Sequence, residues 1–320
     1  ADNGIAIAMA LALAETKGCE HPRLELLFTV DEEQGLTGAN RLEPGFVNGR
    51  ILLNLDSEDE GVFTVGCAGG REAKITLPLQ SSKLDLSWET LQLTVGGLRG
   101  GHSGVDIHKQ HATANKLLAR LLDRLLAAMP VRLVALKGGS AHNAISRDAS
   151  ATVALPSDKK AQAIEIAAAI EKTLRVEYAS VEKTVDIAVE VKGAASGTAV
   201  TLECTRRAAD LLLALPHGVA RMSGEIQGLV ETSNNLATMK IEDGALHVLT
   251  SQRSSVTSRL DGICGKIEAT CRLAGAECRI GSGYPAWQPD MASPLLARCR
   301  EVYKRLYGRE AKIEVIHAGL

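Results

Sequence analysis

At 320 residues and 33.9 kDa the chain is too long for one ordinary hydrophobic core and calls for two domains. Hydrophobic residues make up 45% and charged residues 23%, with a formal net charge of −2, so the balance is that of a soluble globular protein. That charge, with no basic stretch, argues against nucleic acid or an anionic membrane as partner, and no apolar run approaches the roughly 18–20 residues that span a bilayer.

The first part reads as α/β. An Ala-, Ile- and Leu-rich helix is expected over residues 4–14, stopped by Lys17-Gly18. Short apolar runs at Leu24 to Val30 and Ile51 to Leu55 read as buried strands of a mostly parallel sheet covered by helices on both faces. The pattern changes after Gly66-Cys67-Ala68-Gly69-Gly70. Alternating segments at 74–79 and 91–95 suggest antiparallel strands with one wet face. Helices are expected at 112–128, 159–177 and 200–215, with strands at 131–136, 151–155, 185–191, 228–239 and 246–250. A long helix at 256–274, a strand at 277–281, a helix at 294–307 and a strand at 312–316 return to α/β. The expected architecture is an α/β catalytic domain, residues 1–70 and 254–320, interrupted by an inserted α+β lid domain, 71–253. Both ends read as cut from a longer chain.

Seven cysteines, none in a Cys-x-x-Cys pair, fit reduced thiols in a cytoplasmic protein. Cys264, Cys271 and Cys278 recur at steps of seven and read as small buried hydrophobes.

Acidic residues cluster after the first two strands, where open α/β sheets place their ligands: Asp31-Glu32-Glu33, then Asp56 and Glu58-Asp59-Glu60. A dinuclear hydrolase needs oxygen ligands and one further carboxylate that moves the proton of metal-bound water. Two consecutive Glu in a loop can divide those tasks, and they can also simply face solvent. Asp56 can supply another ligand. Asp2, just before a helix, is either a helix cap or an edge of the site.

Longer strings carry a resemblance. Ala1-Asp2-Asn3-Gly4, Thr29-Val30-Asp31-Glu32-Glu33-Gln34-Gly35 and Asn54-Leu55-Asp56-Ser57-Glu58-Asp59-Glu60-Gly61 are similar to the aminoacyl-histidine dipeptidases. These belong to the metallopeptidase family that includes carnosinase, aminoacylase and carboxypeptidase G. The similarity continues collinearly through Gly100-Gly101-His102-Ser103-Gly104, Asn143-Ala144-Ile145, Tyr284-Pro285-Ala286-Trp287 and His317-Ala318-Gly319-Leu320.

The resemblance implies hydrolysis of unblocked dipeptides with two Zn2+ ions, or Mn2+ or Co2+ as substitutes. Asp2 matches the bridging carboxylate, Glu33 and Asp56 terminal metal ligands, and Glu32 the general base. His102 matches a lid histidine that stabilises the oxyanion. Asn143 and Arg253 match lid positions that contact the substrate carbonyl or carboxylate. His317 reads either as a substrate-pocket residue or as the end of a strand. A homodimer through the lid is implied as well. The family's two metal-binding histidines have no match among the eight histidines here. The alternatives are a chain that folds or dimerises without binding two metals, and a related deacylase or peptidase.

Overall fold

A computed structural model describes the chain except residues 1, 2, 32–35, 57, 58, 86, 225 and 320. In chain order the helices are α1 Gly4–Glu15, α2 Thr37–Asn40, α3 Ala114–Ala128, α4 Lys160–Glu177, α5 Leu202–Ala214, α6 Thr257–Ala274 and α7 Pro294–Tyr307. The strands begin with β1 Val62–Cys67, β2 Gly69–Pro78, β3 Ser81–Lys83, β4 Trp88–Gly96 and β5 Gly101–His102. They continue with β6 Arg132–Gly138, β7 Ala144–Ile145, β8 Ala149–Pro156, β9 Asp186–Ala194 and β10 Thr198–Val200. The last are β11 Gly218–Met222, β12 Val230–Glu242, β13 Ala245–Ser254, β14 Glu277–Ile280 and β15 Lys312–Ile316. The chain forms two compact units: Ala1–Thr64 with Asp290–Glu314, and Val65–Pro289 with Val315–Leu320.

The larger unit is built on a nine-stranded sheet in the order β14-β2-β13-β12-β6-β8-β4-β9, with β11 added alongside β12. Its ladders are antiparallel. Strand alternation decides its faces. Ala73, Ile75 and Leu77 of β2 and Leu91, Leu93 and Val95 of β4 enter the core. α3 covers that face because Leu117, Leu118, Leu121, Leu122 and Leu125 form one apolar stripe, all fully buried. α6 joins the same core through Ile267 and Cys271. Residues 254–289, grouped by sequence with the catalytic segments, therefore lie in the larger unit.

On the opposite face the floor is polar. Ser233 and Asn235 of β12 lie opposite Arg253 and Ser251 of β13, which in turn lie opposite Gly70 and Glu72 of β2. Ser233, Asn235, Ser251 and Arg253 are all buried.

In the smaller unit, α1 starts at Asn3, whose Oδ1 accepts the Ala6 N–H at 3.0 Å. α7 starts at Ser293 with Pro294 in its first turn. Tyr303 of α7 packs edge-on against Phe63 at 5.9 Å. The strands expected at 24–30 and 51–55 do not form: those segments are assigned no strand, and Ile51, Leu52 and Leu53 are exposed. An apolar run states what a segment can bury, whereas a parallel strand needs a neighbour to supply its ladder.

Candidate active site

The Gly-Gly-His-Ser-Gly string forms a tight turn that presents His102 over the polar floor. His102 lies in β5, paired with Ala144 of β7, and the Ser103 N–H donates to the Asn143 carbonyl at 2.7 Å. The 142–144 segment is tied down in turn by Asn235, whose Nδ2 donates to the Ala144 carbonyl at 2.8 Å. His102 and Asn143, 41 positions apart, are thus neighbours through a two-residue ladder.

The turn fixes the imidazole. Nδ1 of His102 accepts the N–H groups of Gly104 at 3.2 Å and Val105 at 3.1 Å. An accepting Nδ1 carries no proton, so the neutral ring holds its proton on Nε2. Asp106 secures the main chain on both sides: its Oδ2 accepts the His102 N–H and its own N–H donates to the His102 carbonyl, each at 2.8 Å. Burial, then the charge of Arg253, holds the His102 pKa below its ordinary value, with Asp106 opposing and His142 adding to the fall. The product is a neutral imidazole with a fixed Nε2–H donor.

His317 is brought against this turn. A Cβ on Gly104 would lie 2.7 Å from the His317 carbonyl and 3.1 Å from Cε1 of His102, so only glycine fits there. His317 is 8% exposed, and its Nε2 is 2.7 Å from Ser233 Oγ. Burial, with the neighbouring Arg253, pushes its pKa down to about 3, so it is neutral beside that cation. Arg253 donates from Nη1 to the Tyr284 hydroxyl at 2.7 Å. Nδ1 of His142 lies 2.8 Å from Oε1 of Glu72, and His142 is close enough to His102 to influence its charge. The structure therefore gathers His102, Asn143, Arg253 and His317, and adds Tyr284, Asp106 and the Glu72–His142 pair. Tyr284 was visible in sequence only as part of a matching string.

Of the carboxylates, Asp2, Glu32 and Glu33 lie outside the described residues. Asp56 is exposed, with its N–H on Asn54 Oδ1 at 2.9 Å. Asn3 Nδ2 donates to the Leu55 carbonyl at 2.9 Å, which links the residue after Asp2 to the residue before Asp56. On either side of residues 32–35, Asp31 (φ 55°) and Leu36 (φ 60°) are left-handed, a conformation costing about 1–3 kcal/mol at each such residue. The Thr37 N–H donates to the Asp31 carbonyl at 3.2 Å and the Gly38 N–H to the Val30 carbonyl at 2.9 Å. Among the described residues no three His, Cys, Asp or Glu side chains converge on a metal position. The described donors alone do not make the expected metal centre.

Residues 93–182 match the family model of a peptidase dimerisation domain. The chain is 37% identical over 321 residues to the cytosol non-specific dipeptidase of Escherichia coli (strain K12), spanning all of this chain and 66% of that protein. It superposes with a TM-score of 0.89 on the crystal structure of aminoacylhistidine dipeptidase from Vibrio alginolyticus, at 39% identity over 100% of this chain and 65% of that one. The chain thus spans just under two thirds of the length of these relatives. Its fold is the mixed α/β peptidase fold with an inserted dimerisation domain. The chain belongs to the peptidase family that contains the aminoacyl-histidine dipeptidases.

Proposed function

We propose that the full-length protein is a cytoplasmic metal-dependent dipeptidase that hydrolyses unblocked dipeptides of the aminoacyl-histidine type as a homodimer. The reading is supported by the family and by the chemistry of the residues gathered around His102. In it, Asp2, Glu33 and Asp56 are the residues that would hold the metal ions, with zinc the expected ion. Those ions would supply Lewis acidity and an activated water. Glu32 is the general base.

The larger unit contributes recognition and charge stabilisation. Peptide hydrolysis turns a planar carbonyl into a tetrahedral oxyanion, and a donor already fixed in place stabilises that charge without reorganising. The Nε2–H of His102 is such a donor, and its backbone-locked tautomer is the observation that carries the proposal. Arg253 is suited to the α-carboxylate of the dipeptide, since a guanidinium matches a carboxylate with two parallel N–H bonds. Asn143, beside His102 at the β5–β7 ladder, is a further candidate for substrate contact, and the neutral His317 adds no competing cation.

The test is His102→Ala in the full-length, metal-loaded protein. The proposal expects kcat to fall roughly 100- to 1,000-fold, the cost typical of losing one oxyanion donor, with KM changed by less than about threefold. A variant that raised KM and spared kcat would make His102 a ground-state binding residue and overturn this role.

A further inference from the structure

Arg253 is buried, yet its donors are only partly used. Nη1 bonds Tyr284, while Nε is buried with no hydrogen-bond partner among the described residues. A buried cation with an unspent donor is costly unless a ligand completes it.

Tyr284 is held with unusual completeness. Gly70 lies directly opposite Arg253 in the β2–β13 ladder. The same Gly70 exchanges two main-chain bonds with Tyr284, its N–H to the Tyr284 carbonyl at 3.1 Å and its carbonyl from the Tyr284 N–H at 3.0 Å. The tyrosine ring lies over the place a side chain would fill: a Cβ on Gly70 would stand 2.6 Å from Cζ, and one on Gly319 would stand 2.8 Å from Cε2. One strand position thus aligns Arg253 and clamps both the main chain and the ring of Tyr284. Burial pushes the Tyr284 pKa up, with Arg253 opposing, so the hydroxyl stays neutral and can accept from the guanidinium.

We propose that Tyr284 is a positioning residue that takes the Nη1 side of Arg253 and so fixes the plane in which the guanidinium meets the α-carboxylate of the substrate. This rests on the reading of Arg253 as the carboxylate-binding residue. Tyr284 acts through Arg253 and leaves the reacting carbonyl untouched, so its removal affects recognition of the carboxylate and little else.

The experiment uses full-length, metal-loaded protein and two substrates, a dipeptide and its C-terminal amide. Three proteins are compared: wild type, Tyr284→Phe and Arg253→Lys. For Tyr284→Phe we expect KM for the free dipeptide to rise on the order of 10-fold, the scale of one charge-assisted hydrogen bond. kcat and the KM for the amide should stay within about twofold of wild type, and the thermal midpoint should be unchanged. Equal losses on both substrates, or a loss in kcat alone, would show a merely structural role and overturn the proposal. Arg253→Lys separates the two readings. If it keeps the full preference for the free carboxylate, the assignment of Arg253 itself fails. If it loses that preference while Tyr284→Phe retains it, only the positioning role of Tyr284 fails.

Discussion

A histidine that donates to an oxyanion must be neutral, carry its proton on the correct nitrogen and be held still. At His102 these conditions trace to separate residues: burial and Arg253 depress the pKa, Gly104 and Val105 occupy Nδ1, and Asp106 holds the main chain. Asp106 is the anion that raises the His102 pKa, so neutralising it removes stabilisation of the imidazolium and lowers the pKa further. Nitrogen-15 NMR should show His102 titrating below an ordinary histidine, with the neutral ring protonated on Nε2, and Asp106→Asn should shift its titration to still lower pH. A titration above that of an ordinary histidine, or a proton on Nδ1 of the neutral ring, would contradict the account. The position of His102 in a tight turn was legible from its glycine-flanked string. Its tautomer was not, since backbone N–H groups leave no trace in side-chain identity. Tyr284 stayed without a role because nothing in sequence puts Gly70 opposite Arg253.

Among the elements, α5 depends on a residue from another helix. Lys116 of α3 donates from Nζ to the carbonyls of Leu212 at 2.7 Å and Leu213 at 2.8 Å, and to that of Leu215, at the end of α5 where carbonyls lack helical partners. Lys116→Met keeps the stem and leaves these groups unpaired, so unfolding free energy should fall by about 1–3 kcal/mol in denaturant titrations. An unchanged stability would show that water replaces the ammonium. Burial also lowers the Lys116 pKa from 10.5 to about 8. Between those values the unfolded chain binds the proton that the folded chain has lost, so Lys116 makes stability rise with pH from about 8 to 10.5. The variant should lose that part of the slope.

The long elements were readable because their periodicities are strong: the expected helix at 294–307 is α7, and that at 159–177 is α4 within one residue. The short polar ladder of β3 with β10 and the edge strand β11 were missed, since neither carries an apolar alternation of useful length. The apolar runs at 24–30 and 51–55 misled for the opposite reason, their composition being strong and their ladder partners absent among the described residues.

At the scale of the molecule, the candidate residues fall in two groups, one in each unit. The acidic positions expected to hold metal and to act as base, residues 2, 32, 33 and 56, belong to the smaller unit, and His102, Asn143, Arg253 and His317 to the larger. The dimerisation-domain match lies wholly within the larger unit. Within the larger unit, His102 pairs beside Asn143, His317 packs against the His102 turn, and Arg253 lies close enough to lower the pKa of both histidines. The claim that this unit stabilises the transition state in preference to the substrate has a direct measurement. A phosphinic analogue of a dipeptide carries tetrahedral oxyanion character that the substrate lacks. Calorimetric binding of that analogue to full-length wild-type and His102→Ala proteins should show affinity falling on the order of 100-fold in the variant, with binding of an unreactive planar dipeptide isostere nearly unchanged. Equal weakening for both ligands would contradict the account, because His102 would then bind the two states alike.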